Sequence, residues 1–285
     1  MNTILKWVGS KAGIMPALSL HLPEGKRLVE PFAGSCAVMM NTDYPKYLVA
    51  DINPDLINLY RQVKEHTRPF IVMAQQMFNQ NANFEDYCRI REEFNLCLSL
   101  SLLQRAVYFL YLNRHGFRGL CRYNRKGEFN TPFAKSDTAY FPLVEIEAFA
   151  EKAQHATFIC ADFKETLQMV ESGDVVYCDP PYDGTFSQYF GQGFGKTEHN
   201  QLASMLADVA ENNAVVVSNS DNEFTRQLYG KFHTSKVSSL RSIGSKAGAS
   251  KRGAEIIATS IQHAVYVGVD MGSGTDLSRQ VQATQ

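Results

Sequence analysis

Residues 179–182 read Asp-Pro-Pro-Tyr, and this tetrapeptide carries the most specific chemistry in the chain. Two successive prolines lock the backbone and remove two N–H donors, which leaves carbonyl oxygens turned outward. The result is a rigid acceptor pair, the Asp179 carboxylate and the Pro180 carbonyl, with the flat ring of Tyr182 beside it. An exocyclic amino group needs two acceptors, and a planar heterocycle needs an aromatic platform. Both are present within four residues.

Three further segments have ligand-binding character. Residues 29–35 (VEPFAGS) run from a short apolar strand through Phe32 into a glycine turn at Gly34. Open α/β sheets bind nucleotides at such turns, although an ordinary strand–helix turn has the same appearance. The Gly-x-Gly-x-x-Gly pattern that cradles a pyrophosphate is missing. Seventeen positions after Gly34 comes Asp51, within Ala-Asp-Ile-Asn at 50–53. An acid there suits a ribose diol; it equally suits the start of a helix. Residues 5–11 (LKWVGSK) set the single tryptophan, Trp7, between Lys6 and Lys11. That segment is either an N-terminal anchor or an indole face with an ammonium group for an adenine and a carboxylate on one ligand.

These segments must be positioned by alternating strands and helices. Short buried strands are expected at 27–30, 47–50, 157–160, 174–178 and 214–218, each followed by a helical pattern. The clearest helix spans about 197–211, with Leu202, Met205, Leu206, Val209 and Ala210 on one face and Thr197 as N-cap. Such alternation predicts a parallel sheet covered on both faces. From 53 to about 112 the pattern is helical throughout. Residues 115–133 then interleave glycine, proline and aromatics with arginine, which reads as a β-hairpin or long loop.

The chain has 285 residues, room for one large domain or a core with an insert. No apolar run is long enough to span a bilayer, and Lys6 and Trp7 interrupt any signal-peptide core, so a cytoplasmic protein is expected. The six cysteines form no Cys-x-x-Cys pair and the histidines are scattered, so reduced thiols and no metal are expected. Net charge is −1, but its distribution is uneven. Residues 101–136 hold seven basic side chains against Glu128, residues 226–252 hold seven and no acid, and residues 143–185 hold nine acids against two lysines. That segregation predicts one face fitted to a polyanion, or two solvated surfaces.

Taken in order, these motifs resemble the Dam-type DNA adenine N6-methyltransferases of the α group. The resemblance runs from Leu5 to about Ser260 and rests on LKWVGSK, VEPFAGS, ADIN, residues 109–133 (FLYLNRHGFRGLCRYNRKGEFNTPF), DPPY and RSI at 241–243. It implies an α/β, doubly wound, Rossmann-like core that binds S-adenosylmethionine, formed by residues 1–53 and 142–269. It also implies an inserted, mainly helical target-recognition subdomain at 54–141 that carries a β-hairpin, and a flexible tail at 270–285.

By that resemblance Trp7, Lys11, Phe32, Gly34, Asp51, Asp162 and Asp179 line the S-adenosylmethionine pocket. Tyr182 stacks on a flipped adenine whose N6 amine is held by Asp179 and Pro180. The hairpin enters the major groove of a GATC site, with Arg122 as guanine reader. Phe117 wedges into the stack, Leu120 and Pro132 touch neighbouring bases, and Lys6 adds a base or phosphate contact. The chain departs from the family at Cys36, where a second small residue is usual.

The mechanism so implied is direct displacement. Asp179 and Pro180 aim the nitrogen lone pair at the methyl group, and Asp179 relays the departing proton. The partner is double-stranded DNA, the chain a monomer, and the setting cytoplasmic and nucleoid-associated, with no membrane and no metal. The competing readings are methyl transfer to another planar amine, on an RNA base or a glutamine amide, and a decayed enzyme acting as a sequence-specific DNA-binding regulator. The missing glycines disfavour a dinucleotide oxidoreductase. The aromatic loop at 183–194 is expected either to close over the base or to pack beneath the surface.

Overall fold

The strand sequences alternate between two apolar layers. Leu28, Tyr47, Val49, Val175, Tyr177 and Val216 point to one side, and Val29, Leu48, Val176, Cys178, Val215 and Val217 to the other. This is the period-2 pattern of strands covered on both faces. The computed structural model, which describes residues 2–81, 83–96, 100–135, 139–182, 193–241 and 251–261, joins these strands in one seven-stranded sheet. The strands are β1 (Arg27–Glu30), β2 (Tyr47–Asp51), β3 (Ala156–Cys160), β4 (Asp174–Cys178), β5 (Ala214–Ser220), β6 (His233–Arg241) and β7 (Lys251–Thr259), in the order β3-β2-β1-β4-β5-β7-β6. The first five are parallel, and β7 runs antiparallel between β5 and β6. The order reverses between β1 and β4, the switch point at which open α/β sheets bind ligands.

The expected strands are present with small extensions, and the fold is the expected Rossmann-like α/β type. Strands β6 and β7 were not anticipated. Lys-Val-Ser-Ser-Leu-Arg in β6 offers few apolar positions, and an edge hairpin needs few.

Helices cover both faces. On one, α7 (Phe163–Leu167) and α8 (Lys196–Val209) pack Phe163, Leu167, Leu202 and Leu206 against the sheet. Helix α8 is capped at Gly195, whose amide donates to Glu198 Oε2 at 2.8 Å, so Thr197 lies inside the helix rather than capping it. The other face holds the short helix α1 (Met15–Leu18), then α2 (Pro54–Glu65) and α6 (Leu143–Lys152). Asn53 caps α2 by accepting from Asp55 N at 3.0 Å and Leu56 N at 3.3 Å, with Pro54 preset at the first turn.

The insert continues through α3 (Thr67–Gln80), α4 (Phe84–Leu96) and α5 (Leu102–His115). It shares one hydrophobic core with the sheet. Phe70, Tyr87, Phe94, Phe109 and Phe129 belong to the same buried cluster as Leu28 and Tyr47. Helix α2 ties the two regions. Arg61 donates to Phe158 O at 2.7 Å and Lys64 to Ala156 O at 2.8 Å, filling outer carbonyls of the edge strand β3. Short helix α9 (Glu223–Leu228) follows β5. The tail expected at 270–285 lies outside the described residues, and no helix among those described is long and apolar enough to cross a membrane.

Candidate active site

The turn after β1 is built around bare backbone. Gly34 has φ +46°, and a Cβ there would stand 2.7 Å from the Trp7 Nε1 atom, so the indole lies directly against the turn. Asp51, ending β2, accepts from Gly34 N at 3.0 Å through one oxygen and from Asn53 N at 3.0 Å through the other. Asn53 is the residue that caps the helix, while Asp51 holds the glycine turn. Burial raises the Asp51 carboxyl above the usual carboxylate range, partly offset by those amides. Cys36 is buried and has φ +57°, the left-handed region that favours glycine.

Asp179 follows β4 across the switch point. Its Oδ2 pairs with Lys11 Nζ at 2.6 Å, and its Oδ1 accepts from Ser218 Oγ at 2.9 Å. Ser218 in turn lies 2.8 Å from the Tyr177 hydroxyl. Burial raises the Asp179 carboxyl, and Lys11 and Ser218 only partly counter it. Lys11 is itself buried, donates to Gly9 O at 2.9 Å, and sits 5.0 Å from the Tyr182 ring centre. The Tyr182 hydroxyl is pushed well above the usual phenol range by burial, with the Asp179 and Glu255 carboxyls adding to the shift, and Pro180, between Asp179 and Tyr182, is buried.

Phe32 stacks on Phe163 at 5.7 Å and meets Phe194 edge-on at 5.6 Å. Phe194 is thus packed beneath the rim, while residues 183–192 of the aromatic loop lie outside the described residues. Asp162 is the N-cap of α7, accepting from Lys164 N at 2.8 Å and Glu165 N at 3.1 Å. Its neighbour Ala161 donates to Asp51 O at 3.2 Å, which brings both acids to the same sheet edge.

Sequence reasoning missed three polar groups beneath this site. Glu30, the last residue of β1, is 2% exposed, and its Oε1 has no hydrogen-bond partner among the described residues. Burial pushes its carboxyl up to about 8, so near neutrality it is mostly protonated and adds little charge beside Asp179. Ser218 and Glu255 are the others. Their only signal was a polar residue closing an apolar strand.

The remaining predicted residues form a second cluster. Residues 116–133 make an irregular antiparallel hairpin, bridged at Gly116–Phe133 and Tyr123–Phe129 and turned at Gly127 (φ +77°). Phe117 is 42% exposed, and its amide donates to Pro132 O at 2.7 Å, so these two stand together with Pro132 also exposed. Leu120 is half-buried. Arg122 is exposed and held across the hairpin by Asn130, through Nε to Oδ1 at 2.7 Å and Nη2 to the carbonyl at 3.0 Å. Lys6 is exposed, and its backbone is gripped by buried Asn113, which accepts from Lys6 N at 2.9 Å and donates to Lys6 O at 2.8 Å. The segment carrying Lys6, Trp7 and Lys11 therefore lies between hairpin and pocket. No group of three potential metal ligands occurs among the described residues.

The arrangement combines a nucleotide-type turn, a buried carboxylate fixed next to an aromatic ring, and an exposed basic hairpin. Comparison with known proteins agrees with it. Residues 7–243 match the family model of D12 class N6 adenine-specific DNA methyltransferases. The chain is 55% identical over 279 residues to the Retron Ec67 DNA adenine methylase of Escherichia coli, covering 98% of each chain. It is 44% identical to a DNA adenine methylase of Vibrio cholerae, over 92% of this chain and 97% of that one, and 42% identical to the DNA adenine methylase of Escherichia coli K12, over 90% and 94%. With a model match across most of its length and relatives this similar, the chain belongs to the D12 class of N6 adenine-specific DNA methyltransferases.

Proposed function

We propose that this DNA methyltransferase transfers the methyl group of S-adenosylmethionine to N6 of an adenine extruded from duplex GATC, working as a monomer. The observation that carries the reading is the Lys11–Asp179 pair at 2.6 Å with Tyr182 beside it, set at the sheet's switch point against the Gly34 turn. The residues present fit the donor. Trp7 and Phe32 offer apolar faces for a nucleoside, with Asp162 on the same rim. Each Asp51 oxygen already accepts one amide and keeps a lone pair for a ribose hydroxyl. When bound, S-adenosylmethionine supplies an electrophilic methyl group.

The chain's own residues do the rest. An adenine amine is a weak nucleophile because its lone pair is shared with the ring. Asp179 and the Pro180 carbonyl hold its two hydrogens and so orient the nitrogen, which is where most acceleration of this type arises. Lys11 and Ser218 fix the Asp179 carboxylate so that it does not rotate away. Burial makes that carboxylate more basic than a surface aspartate, which suits it to take the departing N6 proton. Tyr182, its ring beside the Lys11 ammonium, provides the platform for the extruded base. Extrusion costs a few kcal/mol, and exposed Phe117 is placed to fill the vacated stack.

Residues 54–141 act as the target-recognition region on the core formed by 1–53 and 142–269. Arg122 reads guanine, Leu120 and Pro132 touch neighbouring bases, and Lys6 adds a further contact. The test is methyl transfer from labelled S-adenosylmethionine to matched duplexes carrying GATC, GTTC or neither. Label confined to GATC, and abolished in Asp179→Ala with unchanged thermal unfolding, is the expected result. Equal labelling of GTTC overturns the specificity, and full turnover by Asp179→Ala overturns the catalytic assignment.

A further inference from the structure

The guanine reader and the cofactor-side acid are joined through one buried carboxylate. Asp55, in the first turn of α2, is 4% exposed. Its Oδ2 accepts from the Tyr123 hydroxyl at 2.7 Å, and Arg105 grips both oxygens, Nε to Oδ1 at 2.5 Å and Nη2 to Oδ2 at 3.1 Å. Tyr123 is buried and directly follows Arg122, and the backbone amide of Asp55 donates to the Asn53 side chain at 3.0 Å. Asn53 donates its backbone amide to Asp51, whose other oxygen holds the Gly34 turn. An unbroken series of hydrogen bonds therefore runs from the hairpin residue beside Arg122 to the turn beneath Trp7. The other side of the hairpin is pinned separately. Asn95 accepts from Phe129 N at 2.7 Å and donates to Phe129 O at 3.0 Å, so the hairpin stays seated on α4 when the Tyr123 hydroxyl is removed.

We propose that Tyr123 is a positioning residue whose hydroxyl couples recognition of the target sequence to cofactor binding. The proposal rests on the reading above of Arg122 as base reader and Asp51 as cofactor ligand. The physical basis is that Asp55 is shared. A shift of Tyr123 on docking changes the hydrogen bonding of a carboxylate at the root of α2, and the α2 cap, Asn53, lies two residues after Asp51. By linkage the effect is reciprocal, with cognate DNA tightening the cofactor site and a filled cofactor site tightening cognate DNA by the same factor.

The experiment measures S-adenosylhomocysteine affinity by calorimetry, using the full chain alone, with a GATC duplex and with a GTTC duplex. In the wild type, GATC is expected to tighten binding about tenfold over GTTC, within the usual span of coupling between sites. Tyr123→Phe brings that ratio to about one, with affinity in the absence of DNA within roughly twofold of wild type. Tyr108→Phe, which removes a comparable phenol bond to Glu93 in the same insert, leaves the ratio unchanged. A retained ratio in Tyr123→Phe, or an equal loss in Tyr108→Phe, overturns the proposal. A wild type that discriminates the duplexes in DNA affinity but shows no change in S-adenosylhomocysteine affinity overturns the coupling alone. A wild type that binds neither ligand selectively overturns the functional reading and the coupling with it. Hydrogen exchange on the wild type gives a second readout independent of any variant: amides at 53–57 gain protection with GATC over GTTC, and equal protection by both duplexes overturns the proposal.

Discussion

In the proposed mechanism Asp179 has two opposed requirements to satisfy, staying charged enough to accept hydrogen bonds and basic enough to take a proton. Burial pushes its carboxyl up, and Lys11 and Ser218 hold it down. Ser218→Ala removes one of the two restraining groups without touching the Lys11 pair. With a stabiliser of the charged form gone, the carboxyl rises further. The acidic limb of the pH–rate profile, where Asp179 becomes protonated, therefore moves to higher pH. A kcat profile from pH 5 to 9 checks this, and an acidic limb that stays in place or moves down shows that Ser218 does not set the Asp179 titration. Glu30 is the control for a simpler reading. Its carboxyl, pushed to about 8, titrates in the same range, so Glu30→Gln must leave the limb in place if Asp179 is the group observed. The tetrapeptide itself singled out Asp179, and the structure seats it at the switch point in a pair with Lys11. Lys11, Ser218 and Glu255 lie far from it in the chain, and only the crossing of β1, β4, β5 and β7 at one sheet edge brings them together.

At the scale of elements, the hairpin is anchored to present one side chain. Asn130 accepts from Arg122 Nε and Nη2, and in the proposed reading the rest of the fork serves a base edge. Preorganisation of that kind lowers the side-chain entropy lost on docking. Arg122→Ala is expected to relax discrimination at one base pair by about 1–3 kcal/mol. Asn130→Ala loses a smaller part of the same discrimination at the same base pair, because the charge remains and only its orientation is freed. Methylation rates on all single-substitution variants of GATC test both. An equal loss on every sequence makes Arg122 a phosphate contact, and loss at a different base pair in Asn130→Ala separates the two residues. Glycine, proline and interleaved arginines made the hairpin visible in advance, whereas its anchors Asn95, Asn113 and Asp55 looked like ordinary helix residues. The cap of α8 at Gly195 was missed for a local reason: Thr197 is a good capping type, but Glu198 reaches back to the Gly195 amide and sets the cap two residues earlier. Strand β6 was missed because it offers few apolar positions and is defined by its pairing to β7, and β7 because its apolar run, Ile256–Ala258, is short.

For the whole molecule, a net charge of −1 gives little overall attraction to DNA, so approach must depend on how charge is distributed. The structure sorts the segregated charges by use. In the acidic stretch, Asp174 is buried against Arg27, Asp179 against Lys11, Asp162 caps α7, and Glu145 accepts from Tyr140. Of the seven basic residues at 101–136, Arg105 is spent on Asp55, and Arg114 on the backbone carbonyls of Thr3 and Ile4. Arg118, Arg122, Arg125, Lys126 and Lys135 remain exposed on and around the hairpin. In the other basic stretch Arg226 is paired with Asp221 at 2.5 Å, which weakens that segment's share. Under the proposed reading, the exposed cations of the hairpin supply non-specific affinity as well as sequence readout. Each phosphate neutralised adds about −0.9 to the slope of log K against log salt. Replacing Arg125 and Lys126 together with alanine should make that slope shallower by roughly 2, equally on GATC and GTTC duplexes, with the preference between them preserved. Glu151→Gln, an exposed change in the acidic stretch, should leave the slope as it was. Fluorescence anisotropy across a salt series measures all three. A slope unmoved by the double replacement would assign the backbone contacts to another surface, with Lys231 and Lys236 near the β6–β7 edge as the next to replace.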